Sequence, residues 1–190
     1  MLKKYASITL LLATAQVHAE TAHPLYAGVL LQSNSLKVHT VSGNATFEPA
    51  MTGLALGYEF GDYFALEGRA LLDSNADSIG PVSLKVRSQF HLLARAHYPV
   101  LEQLRVFASV SHVRSNYTMR VVPNGVGGTS SGFDLSGAGY GVGAEYLLTP
   151  QWKLAVEQQW LPEDDLNDRL TNTNISTDAK ALTFKASYSF

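Results

Sequence analysis

The sequence predicts an all-β fold: eight antiparallel strands in an up-and-down meander, closed into a barrel that crosses a membrane. Three observations predict it. From Leu25 onward, successive segments alternate apolar and polar residues at period two. The connections between those segments alternate long and short. The last residues set Phe184, Ala186, Tyr188 and Phe190 against Thr183, Lys185, Ser187 and Ser189, and end on an aromatic. In a membrane barrel the last strand closes against the first and leaves its aromatics at the interface.

Each strand follows from its pattern. The first, about Leu25–Gln32, puts Ala27, Val29 and Leu31 on one face. The second, about Met51–Phe60, sets Leu54, Leu56, Tyr58 and Phe60 against Gly53, Ala55, Gly57 and Glu59. Gly61-Asp62 marks a tight turn into the third, Tyr63 to about Leu72. There Phe64, Leu66, Ala70 and Leu72 oppose Ala65, Glu67 and Arg69. The fourth, about Val82–Tyr98, is the longest; Leu84, Val86, Phe90, Leu92, Ala94, Ala96 and Tyr98 face one way. Lys85, Arg87, Gln89, His91, Arg95 and His97 face the other. The fifth, about Arg105–Tyr117, is assigned Val106, Ala108 and Val110 outward and Arg105, Ser109 and Ser111 inward. The sixth, about Ser136–Leu148, sets Tyr140, Val142, Ala144, Tyr146 and Leu148 against Gly139, Gly141, Gly143 and Glu145. The seventh runs over about Trp152–Leu161, with Glu157 opposite Leu154 and Val156, and the eighth over about Lys180–Phe190.

The connections sort by length. Those after the second, fourth and sixth strands are short turns. The other four are long and rich in Ser, Asn, Asp, Gly and Thr. Membrane barrels have short turns on one side and long loops on the other. At the N-terminus, Lys3 and Lys4, the apolar Ile8–Ala15 and the small residues of Val17-His18-Ala19 predict a signal peptide over 1–19 and a barrel domain over 20–190. Its apolar stretch is too short to span a bilayer as a helix. Without Lys3 and Lys4 the 14 basic residues fall to 12 against 16 acidic ones, which argues against a nucleic-acid partner. No cysteine is present, so packing, ladder hydrogen bonds or the membrane must hold this exported chain together.

A soluble barrel of eight strands would carry its apolar face inside. Here aromatics gather at strand ends. Phe60, Tyr63, Phe64, Tyr98, Tyr146, Trp152, Tyr188 and Phe190 lie by the short turns, and Tyr117, Tyr140 and Trp160 toward the long loops. Two such belts suit the two interfaces of a bilayer. The apolar face therefore points to lipid and the charged face lines the lumen. That assigns a lumen charge network of Glu59, Glu67, Arg69, Lys85, Arg87, Arg95, Arg105, Glu145, Glu157 and Lys185. Glu157 is expected to pair with Lys185, and Glu145 with Arg105. Glu59, Glu67, Arg69 and Arg95 would meet at mid-lumen. An eight-stranded barrel is narrow enough for such side chains to fill it.

The runs Gly53–Phe60, Ala65–Arg69 and Gly139–Tyr146 resemble the small OmpA-type and OmpX-type outer-membrane barrels of Gram-negative bacteria. The resemblance covers the whole exported chain. It departs from full-length OmpA-type proteins in that no periplasmic peptidoglycan-binding domain follows Phe190, so cell-wall anchoring is not implied. It implies a monomer in the cell outer membrane, among outer-membrane lipid and lipopolysaccharide. It also implies a barrel-assembly machinery that reads Phe184, Tyr188 and Phe190 as a C-terminal signal. The implied role is structural or interactive: envelope integrity, adhesion or surface protection, with a host or surface ligand at the loops. A narrow porin-like solute channel is the alternative, and a lipid A-modifying enzyme a further, less favoured one.

No reaction and no cofactor are expected. His91 and His97 share a face but stand about 20 Å apart along the strand, too far to hold one metal ion. The glycines at 137, 139, 141 and 143 have strand spacing, not that of a phosphate-binding loop. Some barrels of this kind modify lipid A with a His-x-Ser pair. In His112-Val113-Arg114-Ser115 the arginine stands at the nucleophile position, and His112 and Ser115 fall on opposite faces. Glu163–Asp168 is an acidic cluster without calcium-loop spacing.

Overall fold

A computed structural model describes residues 24–40, 43–73, 76–79, 82–122, 128–162, 166–168 and 173–190. The signal peptide expected at 1–19, the loop tip at Pro123–Gly125 and residues 163–165 of the acidic cluster lie outside them. Among the described residues there are eleven strands and no helix. Eight form the wall: β1 (Leu25–Thr40), β3 (Ala50–Phe60), β4 (Phe64–Asp73), β6 (Val82–Pro99), β7 (Leu104–Val121), β8 (Thr129–Leu147), β9 (Trp152–Trp160) and β11 (Thr173–Ser189). Three short ones, β2 (Gly43–Phe47), β5 (Asp77–Ile79) and β10 (Leu166–Asp168), pair with the long-loop ends of β1, β6 and β11.

Each wall strand pairs antiparallel with its neighbour in sequence, and β1 closes on β11 from Tyr26↔Ser189 to His39↔Ser176. Closure satisfies every wall strand's ladder, which a hydrocarbon setting demands. The register can be followed once around the wall. It leads from Leu25 through Tyr58, Leu66, Ala94, Val110, Tyr140, Trp160 and Lys180 to Ser35, ten residues further along β1. A ten-residue stagger over eight strands implies a tilt of about 40°, within the usual range for closed barrels.

The short turns are built locally. Gly61 has φ 68°, a left-handed conformation that a side chain would strain, between β3 and β4. Thr149 Oγ1 accepts the backbone N–H groups of Gln151 (3.2 Å) and Trp152 (2.9 Å) between β8 and β9. The third turn is closed by the Leu104 carbonyl, which accepts from Val100 N at 2.9 Å.

The outward face carries a continuous apolar belt. It covers nine positions on Phe64–Leu72, Phe90–Tyr98, Trp152–Trp160 and Leu182–Phe190, and most of its large side chains are exposed. Nine tilted residues rise roughly 23 Å, close to the apolar band of an outer-membrane barrel. Rings mark its lower edge, where Trp152, Tyr188 and Phe190 meet edge to face. At the upper edge Tyr140 and Trp160 stack with centroids 5.2 Å apart. Tyr117, expected in that upper ring, is instead buried inside the wall. The outward assignment of Val106, Ala108 and Val110 on the fifth strand matches their exposure.

Several wall strands run well past the belt toward the long-loop side, and there the barrel changes character. Inside it, Leu36, Phe47, Met51, Leu71, Val113, Tyr117 and Leu135 form an apolar core joined by Leu84 and Val86. This overturns the reading of the fourth strand. A register shift between Val86 and Ser88 inserts one residue into β6. Leu84 and Val86 consequently face the lumen, and Lys85 and Arg87 face out. A bulge of this kind lets a strand exchange its faces. Here the exchange occurs where the strand leaves lipid for water, so the apolar side turns inward as it does in a soluble protein.

Candidate functional site

Alternation along each strand delivers the lumen charges to the inner face, and the stagger brings side chains from distant strands to one height. Glu67 on β4 is the hub, almost fully buried. Its Oε2 accepts from Tyr26 Oη (2.6 Å) and Lys185 Nζ (2.6 Å), and its Oε1 from Arg69 Nε (2.6 Å). Arg95 Nη2 lies 3.3 Å from Oε1. Glu157, on the opposite wall, forms the second hub. Arg69 and Arg95 (3.1 Å) both donate to its Oε2, and Ser109 Oγ donates to its Oε1 at 2.6 Å. Two guanidinium groups thus span the lumen between two carboxylates. The paired charges offset one another's loss of water, whereas any single one left unpaired would cost several kcal/mol.

A third pair lies nearer the short turns, with Lys153 Nζ donating to Glu59 Oε1 at 2.6 Å. On the long-loop side an amide layer covers the ions. Gln32 Nε2 donates to Gln89 Oε1 (2.6 Å), Gln89 Nε2 to Ser115 Oγ (2.8 Å), and Thr183 Oγ1 to Gln32 Oε1 (3.1 Å). Rings close the gaps: Arg95 sits 4.5 Å over Phe107 and Lys185 4.7 Å over Tyr26. Small residues make the space. A Cβ on Gly57 would strike the Tyr26 ring, and one on Gly143 would strike Phe107.

Of the assigned network, Glu59, Glu67, Arg69, Arg95, Glu145, Glu157 and Lys185 are buried inside, and Arg105 is partly so. Lys85 and Arg87 are corrected to the outer wall by the β6 bulge. The expected pairings also change. Lys185 binds Glu67 and not Glu157. Arg105, although opposite Glu145 in register, turns to Glu59 and Asp62, each at 3.9 Å. Glu59 pairs with Lys153 and stands apart from the mid-lumen cluster. Sequence reasoning missed Lys153 and Tyr26. Lys153 was findable, since it shares the period-two face of Glu157. Tyr26 was findable as well, since alternation sets it opposite the outward Ala27, Val29 and Leu31.

A second polar group lies on the outer wall, just above the belt. His112 Nε2 and Ser136 Oγ are 3.3 Å apart on β7 and β8, and Arg114 meets Asp134 at 3.7 Å. Ser115, by contrast, points into the lumen. Phe184 and Tyr188 face lipid on β11, and Phe190 follows them, exposed. Among the described residues no group of three His, Cys, Asp or Glu side chains is placed to hold a metal ion.

Known proteins place this architecture. A family model described as outer membrane protein beta-barrel domain matches residues 6–190. No curated protein sequence matches the chain. Among solved structures, Ail of Yersinia pestis superposes with a TM-score of 0.57 at 12% identity, over 87% of this chain and 98% of its own. OprG from Pseudomonas aeruginosa gives 0.54 at 11% identity, over 90% and 98%. The protease OmpT from Escherichia coli gives 0.54 at 12% identity, over 88% and 97%. Identities this low show a shared fold and nothing finer. With the family match across nearly its whole length, the closed antiparallel wall and the lipid-facing belt, this chain belongs to the outer membrane protein β-barrel domain family and resides in the outer membrane.

Proposed function

We propose that the chain is a monomeric structural and surface-interaction component of the outer membrane, with a lumen closed to solutes. Signal peptide 1–19 would export it, and the assembly machinery would read Phe184, Tyr188 and Phe190. The observation that carries this reading is the ion network. Glu67 and Glu157, on opposite walls, are joined through Arg69 and Arg95 and roofed by an amide layer and an apolar core. Such a plug supports rigidity over transport and leaves the long-loop ends as the place for a partner. Ail has been solved with the heparin analogue sucrose octasulfate, which supports a surface ligand for this fold. Two measurements test the proposal. Planar-bilayer recordings should show no large, steady open level, and deletion of residues 163–172 or 123–127 should reduce binding to cells or surface glycans without unfolding the barrel. A stable conductance from wild-type protein would favour the porin-like alternative.

One contact favours a second reading, an enzyme acting on a lipid ester. His112 Nε2 lies within reach of the Ser136 hydroxyl, just above the apolar belt. In such a reaction Ser136 Oγ would give its proton to His112 and bond to the ester carbonyl carbon. The ester C–O bond would break, the alcohol leaving with that proton, and water would then release the acid. Lipid A mass spectra from cells carrying wild-type protein or Ser136→Ala decide it. Identical spectra discard this reading.

A further inference from the structure

At the level just above the ion layer, four buried polar atoms among the described residues have no hydrogen-bond partner: Nδ1 and Nε2 of His91, Oγ of Ser111 and Nε2 of Gln159. Their residues are no more than 8% exposed. Strands β6, β7 and β9 carry them, yet the register sets them at one height. Counted along the ladder with its ten-residue stagger, they lie within about 2.5 Å of one another in rise. Between Ser111 and Gln159 the wall offers only Gly139 and Gly141, their ladder partners on β8. A Cβ on Gly139 would come 2.9 Å from Ser111 Oγ, and one on Gly141 3.0 Å from Gln159 Cγ. The two side chains therefore lean over neighbouring glycines into the same space.

That space is closed below and above. Its floor is the Arg69–Glu157 pair, and Arg69 Nη1 donates to Gln159 Oε1 at 3.4 Å. This contact fixes the amide, since only its oxygen can face a guanidinium, and it turns Nε2 away from the ions. Val113 and Leu161, the next inward residues above Ser111 and Gln159, belong to the apolar core. Gln32 and Thr183 stand at the same level but are bonded to each other. Unpartnered atoms on His97, Ser187 and Ser189 differ in place, for they lie at the short-turn end, where Asp62 is partly exposed.

Stripping a polar atom of water with nothing in return is costly, and protein interiors meet that cost with buried water where polar groups converge. An imidazole presents a donor on one ring nitrogen and an acceptor on the other, pointing apart, so a single water cannot serve both. From this convergence we infer that His91, Ser111 and Gln159 form a binding site for trapped water, about two molecules, held between the ion layer and the apolar core. The waters link the three side chains and complete the hydrogen bonding of the amide that steadies Arg69. The site rests on the closed lumen proposed above, because a lumen open to solvent would wet these atoms with passing water instead.

The test uses the whole barrel in nanodiscs, with heat-shifted gel migration confirming the fold of each variant. Magnetisation transfer from water is read by NMR at the His91 ring protons. Trapped water, resident for longer than on the order of a nanosecond, gives a nuclear Overhauser effect of the sign seen within the protein itself. That signal is expected at His91 and not at the methyl groups of Leu135 in the apolar core. His91→Phe keeps the bulk of the ring but strands Ser111 and Gln159, so it should raise the unfolding constant in urea about tenfold. In a dry pocket the same change would remove two unsatisfied atoms and lower that constant. Should His91→Phe fail to fold, Ser111→Ala takes its place, with a several-fold rise and a weaker His91 signal expected. No water signal at His91, or a variant no less stable than wild type, overturns the site and leaves the closed lumen standing. A signal of the opposite sign, from water passing quickly, overturns the site and the closed lumen together.

Discussion

A single carboxylate shows how the lumen is held. Glu67 receives a phenol, an ammonium and a guanidinium within 2.6 Å and a second guanidinium at 3.3 Å. Replacing it with Gln leaves three buried cations short of a counter-charge. Glu67→Gln should therefore destabilise the barrel by about 3–5 kcal/mol, read from urea unfolding in lipid vesicles. Adding Lys185→Met should restore part of the loss, since it removes one of the stranded charges; strictly additive effects would contradict a direct pair. Arg114 provides the contrast. Its partner Asp134 shares its exposure to water, so Arg114→Ala should change stability by less than about 1 kcal/mol in the same assay. That these charges share the inner face was legible in the sequence, because alternation assigns a face. Which charge meets which was not. Arg69 and Glu157 touch across the lumen from opposite walls, and that meeting depends on the ten-residue stagger, a property of closure that no single strand carries.

At the scale of the element, β6 is the informative strand. The period-two pattern located the eight wall strands and, from Phe90 to Tyr98, their outward residues. It failed above Ser88, because Leu84, Lys85, Val86 and Arg87 alternate just as the membrane-spanning part does. One inserted residue reverses their meaning, and only the facing register with β7 reveals it. The strand ends were underestimated for a related reason. β1 and β8 continue to Thr40 and back to Thr129 through Ser-, Asn- and Gly-rich segments whose composition reads as loop. Deleting Arg87 should close the bulge without exchanging faces, because Val86 and Ser88 already pair with the consecutive residues Tyr117 and Asn116, so Leu84 and Val86 stay inward and Lys85 outward. Amide hydrogens of residues 82–86 should then exchange no faster than in the wild type, and those of 90–98 should keep their protection. Markedly faster exchange at 82–86 would mean that the strand slips to the other register and that the bulge is not a simple one-residue insertion.

For the molecule as a whole, the plug predicts transport behaviour. Wild-type barrels should pass almost no current, whereas Arg69→Ala with Glu157→Ala, which removes the cross-lumen tie, should give measurable openings in planar bilayers. A silent double variant would show that the amide layer and the outer apolar core seal the lumen unaided. The reversal of faces along the wall has its own consequence. Below, oil lies outside and ions inside; above, ions lie outside and oil inside. Sliding the barrel by even one turn of pleat in either direction would wet hydrocarbon or strand charge at both levels together. The molecule therefore has a fixed waterline, and a bilayer of the wrong thickness must deform to meet it.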